Sequence, residues 1–323
     1  MSEPASAQTR ERITALYELP LPELLYQAQQ AHRRHFEPGR IQAATLVSVK
    51  TGACPEDCAY CAQSARYDTG LEREGLVDVD YVRDAARRAR DAGATRLCMG
   101  AAWRGPRDRD LDALAAMVEA VKAEGLEACL SAGHLAEGQA ERLAHAGLDY
   151  FNHNLDTSAA YYEEIVSTRS YQERLETLER IRRAGIRVCS GGIVGLGESR
   201  ADRVDMLATL ADLPAQPHSV PINQLIPIPG TPLEEVEAVD PFEVVRTIAV
   251  ARIAMPATYV RLAAGRERMG DELQALCFAA GANSIFFGER LLTTANAATE
   301  ADQRLLGRLG LELEPHEQAC AEL

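Results

Sequence analysis

The sequence predicts an α/β fold, a (β/α)8 TIM-type barrel preceded by an N-terminal helical extension. Three observations predict it. Short apolar segments rich in β-branched residues recur along the chain, in the manner of parallel strands buried on both faces. Amphipathic helical periods separate them, and a glycine stands at the end of several of those periods. No Pro- or Gly-rich linker divides the chain, so one domain is expected.

Taken in order, residues 1–40 form the helical extension, with Leu24, Leu25, Ala28, Ala31, His32 and His35 at helical spacing. The barrel occupies 41–300 and begins with a strand at 42–49. Val82, Ala85, Ala86 and Ala89 then repeat on one helix face before Gly93, and a second strand follows at 94–100. Leu111, Leu114, Ala115, Val118 and Val121 repeat the pattern before Gly125 and a strand at 126–131. Leu143 and Ala144 precede Gly147 and a strand at 148–153. The next helix opens with a capping box, Ser170 to Glu173, and carries Leu175, Leu178 and Ile181 before Gly185 and a strand at 186–194. A strand at 218–226 precedes Asp240-Pro241, an N-cap followed by proline at the first helical position. That helix runs to about Ala254, strands at 257–263 and 283–288 follow, and 301–323 is a polar C-terminal tail. Eight strand–helix alternations suit a closed barrel; a doubly wound open sheet is the rival, because periodicity does not count closure.

Composition excludes several functions. The net charge is −14, from 34 basic and 48 acidic residues, the reverse of a nucleic-acid binder. The densest basic tract, Arg87-Arg88-Ala89-Arg90, lies beside Asp84 and Asp91 and reads as a solvated helix face with internal ion pairs. No apolar run is long enough to span a bilayer, and the polar stretch from Met1 to Tyr17 lacks the core of a secretory signal; a cytoplasmic enzyme is expected.

The eight cysteines carry the chemistry. Cys54, Cys58 and Cys61 fall in the loop after the first strand, spaced Cys-x3-Cys-x2-Cys with Tyr60 before the third. Structural zinc requires four protein ligands, and no fourth Cys or His lies nearby. Three thiolates on a cubane 4Fe–4S cluster leave one iron open to a non-protein ligand. An incomplete zinc site and unrelated thiols are the alternatives. Cys98, Cys129 and Cys189 each fall four or five residues after a capping glycine, at Gly93, Gly125 and Gly185, hence at similar depth in three different strands. Each alone would read as a small buried hydrophobe. Arg261, inside the seventh strand, is the odd charged member, and a buried arginine calls for an anion.

The first triplet resembles the radical S-adenosylmethionine (SAM) superfamily signature. That resemblance implies an open iron chelated by SAM and reductive cleavage of SAM to a 5′-deoxyadenosyl radical. Five further blocks, Met99–Trp103, Tyr150–Ser158, Ser190–Glu198, Val260–Met269 and Leu291–Asn296, resemble the sulfur-inserting branch of that superfamily that converts dethiobiotin to biotin. This match spans roughly residues 40 to 296, and Ala295 and Ala297 stand where that branch suggests prolines. It implies a 2Fe–2S cluster on Cys98, Cys129, Cys189 and Arg261, acting as sulfur donor.

The resemblance further implies SAM contacts at Tyr60, Asn154, Asp156, Gly192 and Ile193, with Gly191, Gly195 and Glu198 in the same backbone approach. Arg174 is open between the SAM carboxylate and a helix-surface charge. Asn154 and Asn223 are candidates for the substrate ureido ring, since an amide both donates and accepts. Lys50, Trp103, Thr293 and Thr294 are candidate contacts for the dethiobiotin tail, with Trp103 equally a core anchor. His153 reads as structural, as do Cys277 and Cys320, and His32, His35, His145 and His316 carry no site pattern. Implied partners are dethiobiotin, an electron donor such as flavodoxin or ferredoxin, the iron–sulfur assembly machinery and a second copy in a homodimer, with no nucleic acid or membrane. Another radical SAM enzyme of the same barrel class, such as a maturase, and a non-catalytic iron–sulfur carrier are the rival readings.

Overall fold

The computed structural model describes residues 5–288 and 290–315. Its centre is an all-parallel barrel. β1 (Arg40–Lys50), β2 (Arg96–Ala101), β3 (Glu127–Ser131), β4 (Tyr150–Asn152) and β5 (Arg187–Cys189) pair in sequence. β7 (Ser219–Gln224), β8 (Tyr259–Leu262) and β9 (Ser284–Phe286) continue the order, and β9 returns to pair with β1, closing the sheet.

β6 (Gly192–Val194) is the collinear continuation of β5, since Cys189 aligns with Ser219 and Gly192 with Ile222. The expected strand at 186–194 is therefore one barrel position interrupted at Ser190-Gly191. The interruption faces Pro221, which has no N–H to give to the ladder. Gly191 lets the two backbones approach, because a Cβ there would lie 2.0 Å from the Pro221 carbonyl oxygen. Its own carbonyl instead accepts from Leu155 and Asp156, drawing the end of β4 over the barrel mouth.

The helices α3 (Val79–Asp91), α4 (Leu111–Ala123), α5 (Gln139–His145), α6 (Tyr162–Ile165), α7 (Tyr171–Arg183), α8 (Arg200–Ala211), α9 (Pro241–Ala254) and α10 (Asp271–Ala279) follow the strands. A shared device ends several of them. After α3, Gly93 takes φ +96°, its N–H donates to Arg90, and the Ala94 N–H donates back to Ala89. This is a Schellman cap, and it recurs at Gly147 and Gly185. The Ser170–Glu173 capping box and the Asp240 N-cap form as the sequence predicts. So does the ion-paired basic face of α3, where Arg87 and Arg90 both reach Glu124.

In the extension, α1 (Ala7–Glu18) packs on α8 and α9, and α2 (Leu21–His32) packs on α9. Residues 299–315 do not form a featureless tail. α11 (Thr299–Leu309) leads into β10 (Glu312–Leu313), which pairs in parallel with the start of β1. Asp302 of α11 is buried against Arg266 at 2.5 Å, tying this segment to the barrel. Cys320 and His316 lie outside the described residues. No helix among the described residues is long and apolar enough to cross a membrane.

Candidate active site

The loop after β1 is shaped by its backbone. Gly52 and Ala53 both take left-handed φ, +68° and +54°, and turn the chain back at once. The Cys54 N–H donates to the Gln63 carbonyl at 2.9 Å, Ala65 donates to Cys54 at 2.7 Å, and Cys61 donates to Cys58 at 2.9 Å. Asp57 fastens the loop from outside by accepting from Ser167 and Thr168. Burial raises the Asp57 carboxyl, but these donors overcome it and hold it down at about 2.

Burial pushes all three loop thiols up, Cys61 to about 12 with further help from Cys58. A metal centre here must displace protons as it binds. Among the described residues no three His, Cys, Asp or Glu side chains gather around a point that one metal ion could fill. Thiolates at separate corners of a cubane need not converge that far, and the donor set, three soft sulfurs in one loop, fits such a cluster.

The second set behaves differently. β2 and β3 align Cys98 with Cys129, and β4 and β5 align Asn152 with Cys189. Cys98 is lowered to about 6, first by the hydrogen bond from Cys129 and then by the charges of Arg261 and Arg96, against the cost of burial. Cys129 is raised correspondingly. Asn152 Nδ2 lies 3.3 Å from Cys189 Sγ. Arg261 is 1% exposed, donates from Nε to Ser284 Oγ at 2.8 Å and from Nη2 to Gln42 Oε1 at 3.0 Å, and its charge helps hold the Cys98 thiol down. Arg96 Nη1 is buried without a partner, and Arg96 is stacked 3.5 Å from the Tyr150 ring centroid. Thiols facing two buried cations fit an anionic iron–sulfur group.

One cavity of about 260 Å³ joins the two sets: its wall includes Cys61 of the first and Cys98, Cys129 and Arg261 of the second. Tyr60, Asn154, Asp156, Ile193 and Asn223 also line it, as do Leu291, Leu292, Thr293 and Thr294. Asp156, buried at φ +68°, accepts from the Tyr60 hydroxyl at 2.8 Å and pairs with Arg174. Asn154 Oδ1 accepts from the Gly191 N–H at 3.2 Å.

Other candidates lie elsewhere. Arg174 is no surface charge: it is 3% exposed and committed to Asp156, the Tyr162 hydroxyl and the Asn154 carbonyl. Gly192 does not line the cavity; a Cβ there would lie 2.0 Å from Met206 Sδ, so packing requires the glycine. Glu198 accepts from the Gly195 and Leu196 N–H groups and pairs with Arg203, closing its own turn. Asn223 faces the cavity, but its amide already bridges the Gly192 carbonyl and the Ala264 N–H.

Lys50 and Trp103 are not on the cavity wall. A register shift between Ser48 and Lys50 turns the Lys50 ammonium onto the Gly52 and Ala102 carbonyls, and Trp103 packs on the main core. His153 is buried and held neutral by desolvation and by the neighbouring arginines, and Cys277 is buried inside α10. Asn152, expected with Asn154 and Asp156 at the end of the fourth strand, lines the cavity, whereas sequence reasoning missed Gln42, Ser284 and Arg96. The signal for Arg96 was present, since it shares the strand face of Cys98 at a spacing of two.

Comparison with known proteins agrees with this geometry. The Radical SAM superfamily profile matches residues 48–210, and that of the Biotin and Thiamin Synthesis associated domain matches 221–312. Biotin synthase of Halorhodospira halophila (strain DSM 244 / SL1) is 75% identical over 312 residues, covering 97% of this chain and 96% of that protein. The chain belongs to the biotin synthase family. Within the family, biotin synthase of Alkalilimnicola ehrlichii is 65% identical over 97% of this chain and 94% of its own length. A methylornithine synthase structure superposes with a TM-score of 0.80 at 19% identity, over 95% of this chain and 94% of that one. The FeFe-hydrogenase maturase HydG of Carboxydothermus hydrogenoformans gives 0.77 at 19%, over 97% and 81%. At such identity these two establish the shared barrel alone. As a member of the biotin synthase family the chain is a radical SAM enzyme, using SAM and iron–sulfur chemistry.

Proposed function

We propose that Cys54, Cys58 and Cys61 hold a 4Fe–4S cluster with SAM on its open iron, and that Cys98, Cys129, Cys189 and Arg261 hold a 2Fe–2S cluster that donates sulfur to dethiobiotin. The observation that carries this reading is that one cavity is walled both by Cys61 of the first set and by Cys98, Cys129 and Arg261 of the second. When bound, the SAM-ligated cluster supplies the radical that removes hydrogen from unactivated C–H bonds, which acid–base chemistry does not reach.

The chain's own groups have separable tasks. Tyr60, Asp156 and Ile193 shape the SAM end, and Arg174 fixes Asp156 there as a positioning residue. Asn154 stands between SAM and the ureido ring, with its amide NH₂ available because its oxygen is taken by Gly191. Asn223 contributes rigidity, and whatever capacity its two existing bonds leave, to the ring site. Leu291, Leu292, Thr293 and Thr294 cover the substrate tail and exclude water. Arg261 compensates the negative charge of the sulfur site while Gln42 and Ser284 hold its orientation.

Anaerobic reconstitution with iron and sulfide, then incubation with SAM, dethiobiotin and a one-electron donor such as flavodoxin or ferredoxin, tests the proposal. Mass spectrometry should find biotin and 5′-deoxyadenosine. Deoxyadenosine without biotin would reject the sulfur-donor assignment. A homodimer, service by iron–sulfur assembly machinery and a cytoplasmic location complete the same proposal, and light scattering of the reconstituted enzyme tests the first.

A further inference from the structure

The segment joining α6 to α7 carries a buried arginine that the assignments above leave unused. Arg169 has a side chain only 11% exposed, and its Nη2 lies 3.5 Å from Cys58 Sγ, within hydrogen-bonding range for sulfur. Its Nε has no hydrogen-bond partner and sits 3.7 Å from Glu56 Oε2. Glu56 is itself buried, 2% exposed, and is held from the far side by Arg104 Nη1 at 3.0 Å. Arg104 Nη1 also donates to the Thr168 carbonyl at 2.6 Å, and Asp57 of the cluster loop accepts from the Ser167 and Thr168 N–H groups, so the guanidinium of Arg169 hangs from a backbone braced by that loop. The Ala59 N–H adds a direct bond to the Ile165 carbonyl at 2.9 Å.

We propose that Arg169 is a positioning residue that orients Cys58 and donates an N–H···S hydrogen bond to its sulfur, raising the reduction potential of the cluster bound there. This rests on the assignment of Cys54, Cys58 and Cys61 to a 4Fe–4S cluster. A fixed cation beside a thiolate ligand stabilises the more negative, reduced form more than the oxidised form, and hydrogen bonds to ligand sulfurs are a recognised determinant of cluster potential. The arrangement is economical in charge, because the Glu56 carboxylate, shared between Arg169 and Arg104, balances the guanidinium that faces Cys58.

Arg169→Gln, Arg169→Lys and Glu56→Gln, each reconstituted as full-length protein, test it against wild type. Iron and sulfide per chain are measured first, then the midpoint potential by EPR-monitored titration without substrate, then the rate of deoxyadenosine formation. Arg169→Gln should keep iron and sulfide near the wild-type ratio, shift the midpoint to a more negative value and slow deoxyadenosine formation at least tenfold. Arg169→Lys should fall between. Glu56→Gln should move the midpoint the opposite way. An unchanged midpoint in Arg169→Gln with an intact cluster would overturn the inference, and so would loss of the cluster in both Arg169→Gln and Arg169→Lys, which would mark a purely structural brace. Wild-type protein that assembles no four-iron cluster would instead reject the underlying assignment.

Discussion

The Asp156–Arg174 pair offers the sharpest separation of folding from function. Both side chains are nearly inaccessible, 3% and 4% exposed, and the two groups are in direct contact. In Asp156→Ala the guanidinium stays buried with only the Tyr162 hydroxyl and the Asn154 carbonyl, and the Tyr60 hydroxyl loses its acceptor. Removing one partner of a buried pair costs about 3–5 kcal/mol, mostly through the stranded charge. Arg174→Met should cost a similar amount by stranding the carboxylate. The double variant Asp156→Ala/Arg174→Met strands no charge and leaves two hydroxyls to find partners, a loss of about 1–3 kcal/mol. It should therefore be more stable than either single variant. Urea unfolding of the metal-free chains, followed by circular dichroism, measures the cycle. SAM cleavage by the reconstituted double variant should nevertheless remain as low as in Asp156→Ala, because the carboxylate on the cavity wall is gone. A double variant whose destabilisation equals the sum of the singles would refute the reasoning, as would a single variant that loses less than about 1 kcal/mol.

Replacing Cys54, Cys58 or Cys61 by Ala should abolish SAM cleavage while leaving a 2Fe–2S spectrum, and replacing Cys98, Cys129 or Cys189 should do the reverse; six variants losing one common cluster would reject two sites. Arg261→Met should still assemble a 2Fe–2S cluster with altered spectrum and some biotin formation, because charge compensation is shared with Arg96; a Met variant without that cluster would make Arg261 an indispensable ligand. His32 is 6% exposed and burial lowers it from 6.5 to about 4, so the unfolded chain binds more protons between those values. Its contribution to stability should be complete above pH 6.5 and fall as pH drops towards 4, and His32→Gln should flatten that part of a urea-midpoint-versus-pH curve. Gly192→Ala should lower thermal stability and SAM cleavage together, since its Cβ would meet Met206 Sδ at 2.0 Å and the Asp156 carbonyl at 2.8 Å.

What was legible in the sequence was what depends on near neighbours. Helix periods, the glycines that end them and the Cys-x3-Cys-x2-Cys spacing are local, and the barrel and the first cysteine set follow from them. Arg174 could also have been placed. It stands at i of an i, i+3, i+4, i+7 stripe with Thr177, Leu178 and Ile181, all buried, but the charge-rich composition of α7 masked the stripe. Lys50 was misplaced because alternation along β1 breaks at a bulge, which no periodic reading detects. Residues 301–313 were misread because polar composition hides α11, which is anchored by ion pairs of Asp302 and Arg308 to residues 36 and 37 positions away and by Leu305 and Leu306 in the core. The Arg169 contact spans 111 residues, and nothing local announces it.

The second cysteine set shows how far a depth argument carries. Similar offsets from the glycines suggest one level, yet the register does not put all three cysteines side by side. Cys129 aligns with Tyr150 and Tyr150 with Arg187, so Cys189 stands two residues further along its strand, opposite Asn152. A displacement of two preserves the face, so all three thiols still point into the barrel. Strand tilt accounts for the rest, because in a closed barrel aligned residues climb steadily around the axis. The consequence is an asymmetric site. Cys98 and Cys129 stand opposite each other on adjacent strands and share the cavity wall with Arg261, whereas Cys189 lies beside Asn152. Its more removed position leaves the cavity wall to Cys98, Cys129 and Arg261, and places Asn152 and Asn154 next to each other between Cys189 and the substrate. On the proposal that a 2Fe–2S cluster here gives up a sulfur while its iron is held, such asymmetry would keep the Cys189 thiol away from the cavity that the substrate would occupy.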